Sequence, residues 1–393
     1  MANNTPTNFF DNTLDIVNMY VTKEYIINNY ANILPFVKTP QLWCWGTINT
    51  ANNAQYTTPI VHPTYSTGWQ QLSGLQSTIL GIKSDGTMWA WGTGVGPFFS
   101  QSTLITYNIP NMLGSKSDWV KVSTSSSISC GIDSSGTLYS WGSTSYIGRS
   151  GDAYSQLSVT TTNKITNVSV GFMSFAFIDE NSKLFTTGQN NYGQIGNGIT
   201  NTYVSTPYTV TNTDNTSWLS VSCGKYNMFA IDSNYALWAW GNNQNGVMGA
   251  QRPSVVLTPV KINTTLNFKK VCASNSGNSV IGAIDENGKL WMWGDNAYGQ
   301  LGNGTYGSTP ITTPALVNND TNWCSVYCSD DHTVAIKTDG TLWGWGKNNL
   351  GQVGVGSTVA RILPPTRLGT GTSWKDICIL TGATLGLLES GGW

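Results

Sequence analysis

The chain has 393 residues, 39% hydrophobic and 11% aromatic, which is material enough to bury a large interior. Charged residues make up only 10% and the formal net charge is −1, leaving little from which to build the basic stripe of a nucleic-acid binder. No apolar run approaches the length of a membrane span, and MANNTPTNFF lacks the positive region and apolar core of a secretory signal, so neither membrane insertion nor export by that route is expected.

Residues 1–40 stand apart from the rest of the chain. From Asp11 to Leu34 the apolar residues Leu14, Ile16, Val17, Tyr20, Ile27, Tyr30 and Leu34 fall near helical spacing, Asp11, Asn12 or Thr13 can cap the start, and Pro35 and Pro40 end the pattern. This predicts a short amphipathic helix and a linker. An isolated helix rich in asparagine and β-branched residues is marginal alone. The face made by Ile16, Val17, Tyr20, Ile27, Tyr30 and Leu34 therefore needs a surface, and docking on another protein is the expectation.

Residues 41–393 are built on a repeat of roughly fifty residues. Its plainest element is a short strand closed by glycine: LWCWG from Leu42, MWAWG from Met88, LYSWG from Leu138, LFTTG from Leu184, LWAWG from Leu237, LWMWG from Leu290 and LWGWG from Leu342. The two aromatic positions lie two residues apart, so in an extended strand both project from one face. The residue between them is small in all copies but one (Cys44, Ala90, Ser140, Thr186, Ala239, Gly344, against Met292), which suits close approach on the other face. LFTTG has one aromatic and a threonine where the others have tryptophan, and is expected to mark the most weakly packed repeat.

Upstream of all such strands but LWCWG lies another that opens on a large apolar residue (Trp69, Trp119, Ile165, Trp218, Phe268, Trp323, with Trp374 opening a last unit), and between the two a second strand runs into a turn such as IKSDGT at Ile82 or IDENGK at Ile284. Glycine there supplies the positive φ of a tight hairpin. A fourth strand is expected after Pro59, Pro110, Pro207, Pro259, Pro314 and Pro365, since proline is tolerated at a strand start or sheet edge. Seven units of four antiparallel strands predict an all-β fold, a seven-bladed β-propeller. The last unit opens at Trp374 but ends before a tryptophan strand of its own, and LWCWG at Leu42 has no opening pair; one blade is thus expected to be shared by the two ends of the chain.

Units such as IDENGKLWMWGDNAYGQLGNG (Ile284 to Gly304) and DHTVAIKTDGTLWGWGKNNLGQVGVG (Asp331 to Gly356) resemble the repeat of the regulator of chromosome condensation family, in which a G-x-N-x-x-G-Q-L-G-x-G loop follows the W-G. The resemblance implies a seven-bladed propeller closed by terminal strand exchange. Members include guanine-nucleotide exchange factors, β-lactamase inhibitors and many bacterial and viral proteins. Neither the exchange factors' wedge insertion nor their basic chromatin-binding tail can be matched to residues here.

No catalytic constellation accompanies the repeats. His332 sits at the family's histidine-threonine position and is expected to be structural; His62 has no acidic or cysteine partner nearby in sequence. Asp85, Asp133, Asp285 and Asp339 occupy hairpin turns, where turn chemistry explains them. Of the seven cysteines, Cys223, Cys272, Cys328 and Cys378 recur in phase with the repeat and read as small buried residues; Cys324 and Cys328 stand too far apart along a strand to share a zinc ion. No metal and no cofactor is expected.

The informative feature is asymmetry. The glycine loop is kept after Gly188, Gly294 and Gly346, recognisable after Gly241, and replaced after Gly46, Gly92 and Gly142 by TINTANNAQY, TGVGPFFSQ and STSYIGRSG. Phe98, Phe99, Tyr146, Arg149 and Tyr154 in the replaced loops are types enriched at protein interfaces and are the expected partner-binding residues. The first functional expectation is a non-enzymatic structural or binding propeller of a virus or phage particle, located in the virion after assembly in a host cytoplasm and contacting other virion proteins. The alternative is a cytoplasmic regulator of a partner enzyme, an exchange factor or an inhibitor.

Overall fold

The structure, a computed structural model, describes residues 40–47, 54–62, 66–93, 106–142, 146–150, 156–262, 265–275, 277 and 279–389. Within them the chain forms seven four-stranded antiparallel sheets and no helix. The helix expected over residues 11–34, with its face of Ile16, Val17, Tyr20, Ile27, Tyr30 and Leu34, lies outside the described residues.

Six sheets follow chain order from their opening strands, and are numbered as blades one to six from Trp69, Trp119, Ile165, Trp218, Phe268 and Trp323. The seventh joins the two ends: Gln41–Thr47 lies between Ala383–Leu388 and Gln55–Val61, with Gln41 opposite Leu388 and Gly46 opposite Ala383. The unpaired opening strands at one end of the sequence and the orphan tryptophan strand at the other thus complete one another.

The opening strands of all seven blades line a central channel of about 330 Å³. Each is the inner edge of its sheet and presents backbone N–H groups that no fifth strand can satisfy. Side chains of the preceding blade supply acceptors: Ser73 Oγ for Thr124 N–H at 3.0 Å, Ser123 Oγ for Val170 at 3.0 Å, Ser169 Oγ for Cys223 at 2.9 Å, Ser222 Oγ for Ala273 at 2.9 Å and Cys272 Sγ for Cys328 at 3.3 Å. Cys272, and Cys223 whose Sγ donates to Ser169 O at 3.2 Å, are therefore part of a ring of side chains that stitches blade to blade.

The two aromatic positions do share a face, as their spacing requires. Trp374 packs on both Trp43 and Trp45, Trp218 on Trp238 and Trp240, and Trp323 on Trp343 and Trp345, all at centroid separations of 5.8–6.2 Å. Prolines 59, 110, 207, 259, 314 and 365 correct one expectation. They lie within the outermost strands and not before them, each in the bulge opposite the second aromatic position, where the register slips (Cys44 pairs with Ile60 and Gly46 with Tyr56, skipping Pro59).

Blade three also departs from expectation. Thr187 stands where the other blades hold tryptophan, yet it is fully buried, because Phe175 directly opposite fills the volume and Thr187 Oγ1 donates to Val204 O at 2.8 Å. The packing shortfall of this blade sits elsewhere, around Ile165.

Candidate interaction face

Antiparallel strands place the turns between first and second strands, and the long loops between third and fourth, on one face of the ring. The loops are held by one device used four times. Asn190, Asn243, Asn296 and Asn348 are buried; their Oδ1 atoms accept the N–H groups of Ile195, Met248, Leu301 and Val353 at 2.8–3.1 Å. Their Nδ2 atoms donate to the carbonyls of Ile199, Pro253, Thr305 and Ser357. One side chain so closes both ends of a loop. The glycine that starts it is obligatory at Gly294, where φ is +105° and a Cβ would collide with the Ser279 carbonyl.

These loops also lock neighbouring blades together. The buried indoles of Trp240, Trp293 and Trp345 donate to the carbonyls of Gln194, Val247 and Gln300 in the loop of the preceding blade, at 2.8–2.9 Å. His332 is fully buried, with Nδ1 at 2.8 Å from Asp331 Oδ1 and Nε2 at 3.0 Å from Thr384 Oγ1. Burial opposes ionisation of Asp331, but His332 and Lys347 outweigh it and hold the carboxyl below its ordinary range. Through His332 the pair fastens blade six to blade seven.

On this rigid platform two clusters of aromatic rings and cations stand half-exposed. In the first, Tyr226 packs on Tyr192 at 4.7 Å and on Phe172 at 6.1 Å, with Lys225 Nζ over the rings of Phe172 and Tyr226 at 5.6 and 5.3 Å. Burial and the neighbouring Tyr192 raise the Tyr226 phenol above its usual range, so it stays a neutral hydroxyl. In the second, Lys347 lies over Tyr298 at 4.8 Å and Arg361 over Tyr306 at 4.5 Å, with Tyr306 57% exposed. Aromatic rings with Arg or Lys on a preorganised surface are the composition of interface hot spots.

The expected partner-binding residues fare differently. Phe98, Phe99 and Tyr154 lie outside the described residues. Tyr146 is half-buried against the core that includes Phe175 and Phe177, and Arg149 turns its guanidinium onto its own loop, donating to Ser140 O from Nη2 at 2.8 Å and Nε at 3.3 Å. The loop after Gly142, read as replaced, keeps part of the repeat: Ile147 O accepts Ser140 Oγ at 2.6 Å as Ile195 O accepts Thr186 Oγ1 at 2.7 Å. Sequence reasoning passes over Tyr192, Tyr226, Tyr298 and Arg361 because it seeks function only where the repeat fails. Tyr192 and Tyr298 occupy the same place in N-x-Y-G-Q, which a tally of exposed aromatics in the regular loops would have found.

The regulator of chromosome condensation (RCC1) repeat matches residues 181–231, 236–281, 287–336 and 339–379, and a second form of it matches 323–352. The human E3 ubiquitin-protein ligase HERC2 is 30% identical over 167 residues, 42% of this chain and 3% of HERC2. The ultraviolet-B receptor UVR8 of Arabidopsis thaliana is 26% identical over 213 residues, 53% of this chain and 48% of the receptor. The chain thus matches less than half the length of either relative. Among solved structures, yeast RCC1 (Prp20) bound to Kap60 superposes with a TM-score of 0.75 at 17% identity, covering 90% of each chain. Human WBSCR16 does so with 0.74 at 16% identity, covering 89% of this chain and 99% of that one. The matched repeats fall on the blades whose loops carry the asparagine device, and the chain carries regulator of chromosome condensation repeats on a seven-bladed β-propeller.

Proposed function

We propose that this chain is a non-catalytic regulator that acts by binding another protein through its loop face. The observation that carries the reading is the pair of aromatic and cationic clusters, Phe172–Tyr192–Lys225–Tyr226 and Tyr298–Tyr306–Lys347–Arg361, in which Tyr192 and Tyr298 stand on loops fixed by the buried Asn190 and Asn296 and the others on neighbouring turns and strand ends. Lys225 and Arg361 among open rings, beside Lys347 that pairs with Asp331 at 3.4 Å, favour a partner surface that offers carboxylates around an apolar centre. Relatives support a binding role: Prp20 was crystallised with Kap60 and is described by its binding to Gsp1p and histones. A place in a virus particle rests on composition alone, and neither the geometry nor the comparisons add to it.

The test is site-specific photocrosslinking in the source cells with a benzophenone amino acid at Tyr192, at Tyr298 and, as control on the opposite face, at the exposed hairpin residue Tyr235. The expected result is one protein crosslinked from both loop-face positions, lost on Tyr226→Ser or Arg361→Ser, and not crosslinked from Tyr235. Equal crosslinking from both faces, or none from the loops, would sink the proposal.

A further inference from the structure

Blade three opens on Ile165 where every other blade opens on an aromatic ring. In blade four that ring, Trp218, packs edge-on against Trp238 at 6.2 Å and donates its indole N–H to Val210 O, at the end of the previous outer strand, at 3.1 Å. Trp323 and Trp119 pack likewise on Trp343 and Tyr139, at 5.9 and 5.1 Å. Ile165 is smaller than an indole and has no side-chain N–H to give. A cavity of about 210 Å³ results, walled by Ile165, Phe177, Phe185 and Pro207, roofed by linker residues 160–163 and bounded by Asp179. Apolar cavities of about 150 Å³ already take up benzene, so this volume admits a bicyclic ring.

The polar edge of the cavity is specific. Asp179 is only 2% exposed; its Oδ1 accepts the N–H groups of Asn181 and Lys183, and its Oδ2 accepts Asn163 Nδ2 at 2.8 Å. In blades four and five the corresponding Oδ2 atoms, of Asp232 and Asp285, accept an indole N–H, from Trp238 at 2.9 Å and from Trp291 at 3.0 Å. Phe185 holds that place in blade three and has no N–H to give. A carboxylate oxygen accepts more than one donor, so the site combines a planar apolar slot with an acceptor that its sister blades use for an indole.

We propose that this cavity binds a small planar aromatic molecule carrying one N–H donor, of the indole class. It is lined by none of the residues of the aromatic and cationic clusters, and stands whether or not those clusters bind a protein. The ligand chemistry has two sources, a free indole-type molecule or a tryptophan side chain of another polypeptide.

Titration calorimetry and saturation-transfer NMR on the full chain test it, with indole, 1-methylindole and N-acetyltryptophanamide as probes. Indole is expected to bind saturably, and 1-methylindole about tenfold or more weaker, as loss of a hydrogen bond to a buried carboxylate requires. Binding of N-acetyltryptophanamide identifies a side-chain ligand, and its failure beside bound indole a free one. Ile165→Trp should abolish binding and raise the Tm; should that variant not fold, Ile165→Phe, which copies Phe268 of blade five, should weaken binding instead. No saturable indole binding by the wild type, or binding undiminished in the folded variant, overturns the site. Equal affinity for indole and 1-methylindole overturns the role of Asp179.

Discussion

Asp376 offers the sharpest test of how the channel is built. It sits on the opening strand of blade seven, where Oδ2 accepts Leu72 N–H at 3.0 Å, Oδ1 accepts Ile377 N–H at 3.0 Å, and Tyr327 donates its hydroxyl to Oδ1 at 3.4 Å. Burial pushes the carboxyl from 3.8 up to about 6, and these hydrogen bonds pull it back only in part. Ionising it in the folded protein therefore costs about 3 kcal/mol more than in the unfolded chain. Between pH 4 and 6 the folded state keeps a proton that the unfolded chain has released, so this group's contribution to stability falls as pH rises through that window and levels off above about 6. Asp376→Asn keeps the volume and an acceptor for Leu72 but cannot ionise. Its unfolding free energy minus that of the wild type, from urea titrations at intervals between pH 4 and 7.5, should climb from near zero or below to as much as about 3 kcal/mol. Taking the difference cancels other titrations, such as that of His62, which burial pushes down. A difference that does not change with pH, or a variant less stable at pH 7, would refute a buried carboxylate held against its solvation.

The loops and the ring closure give two further outcomes. Asn296→Ala removes the partners of Leu301 N–H and Thr305 O; it should cost about 1–3 kcal/mol and speed hydrogen exchange at Leu301 while leaving blades one and two unchanged. His332→Ala breaks the contact to Thr384 across the junction of blades six and seven, and exchange should quicken first along Ala383–Leu388 and Gln41–Thr47, a pattern absent if His332 only fills space.

Most of the fold can be read from the chain because the repeat writes nearly the same physics seven times: a strand closed by a glycine at positive φ in every copy, with tryptophans two apart in five of them. Strand exchange is readable for the same reason, since a missing strand at one end matches a surplus at the other. The candidate face is not. Lys225 and Tyr226 stand in a turn whose residues vary from blade to blade, and their meeting with Tyr192, more than thirty positions away by numbering alone, depends on a loop folding back over the next blade. Arg149 misleads in the opposite way, an interface residue type whose donors are engaged by the carbonyl of Ser140. The prolines are expected before the outer strands, and lie within them, because sequence does not show a bulge; register does.

Thr187 shows how a residue that breaks the repeat can still satisfy the packing. In blade two the directly opposed pair is Ser129 and Trp141, small against large; in blade three it is Phe175 and Thr187, large against small. Gly148 of the preceding blade rests against both Phe175 and Thr187, as Gly302 rests against the Trp345 ring. The same space is filled from the other strand, so what the interface selects is the summed volume of the pair and not tryptophan at one position. A double-mutant cycle tests this. Phe175→Ser alone opens a cavity and should cost about 3–5 kcal/mol. Thr187→Trp alone overpacks against Phe175 and should cost about 1–3 kcal/mol. The double variant recreates the blade-two pair, and its cost should fall short of the sum of the two by about 1–3 kcal/mol, measured by urea unfolding at equilibrium. Additivity within about 0.5 kcal/mol would show that the two side chains do not share one space, and that Thr187 is tolerated for some other reason.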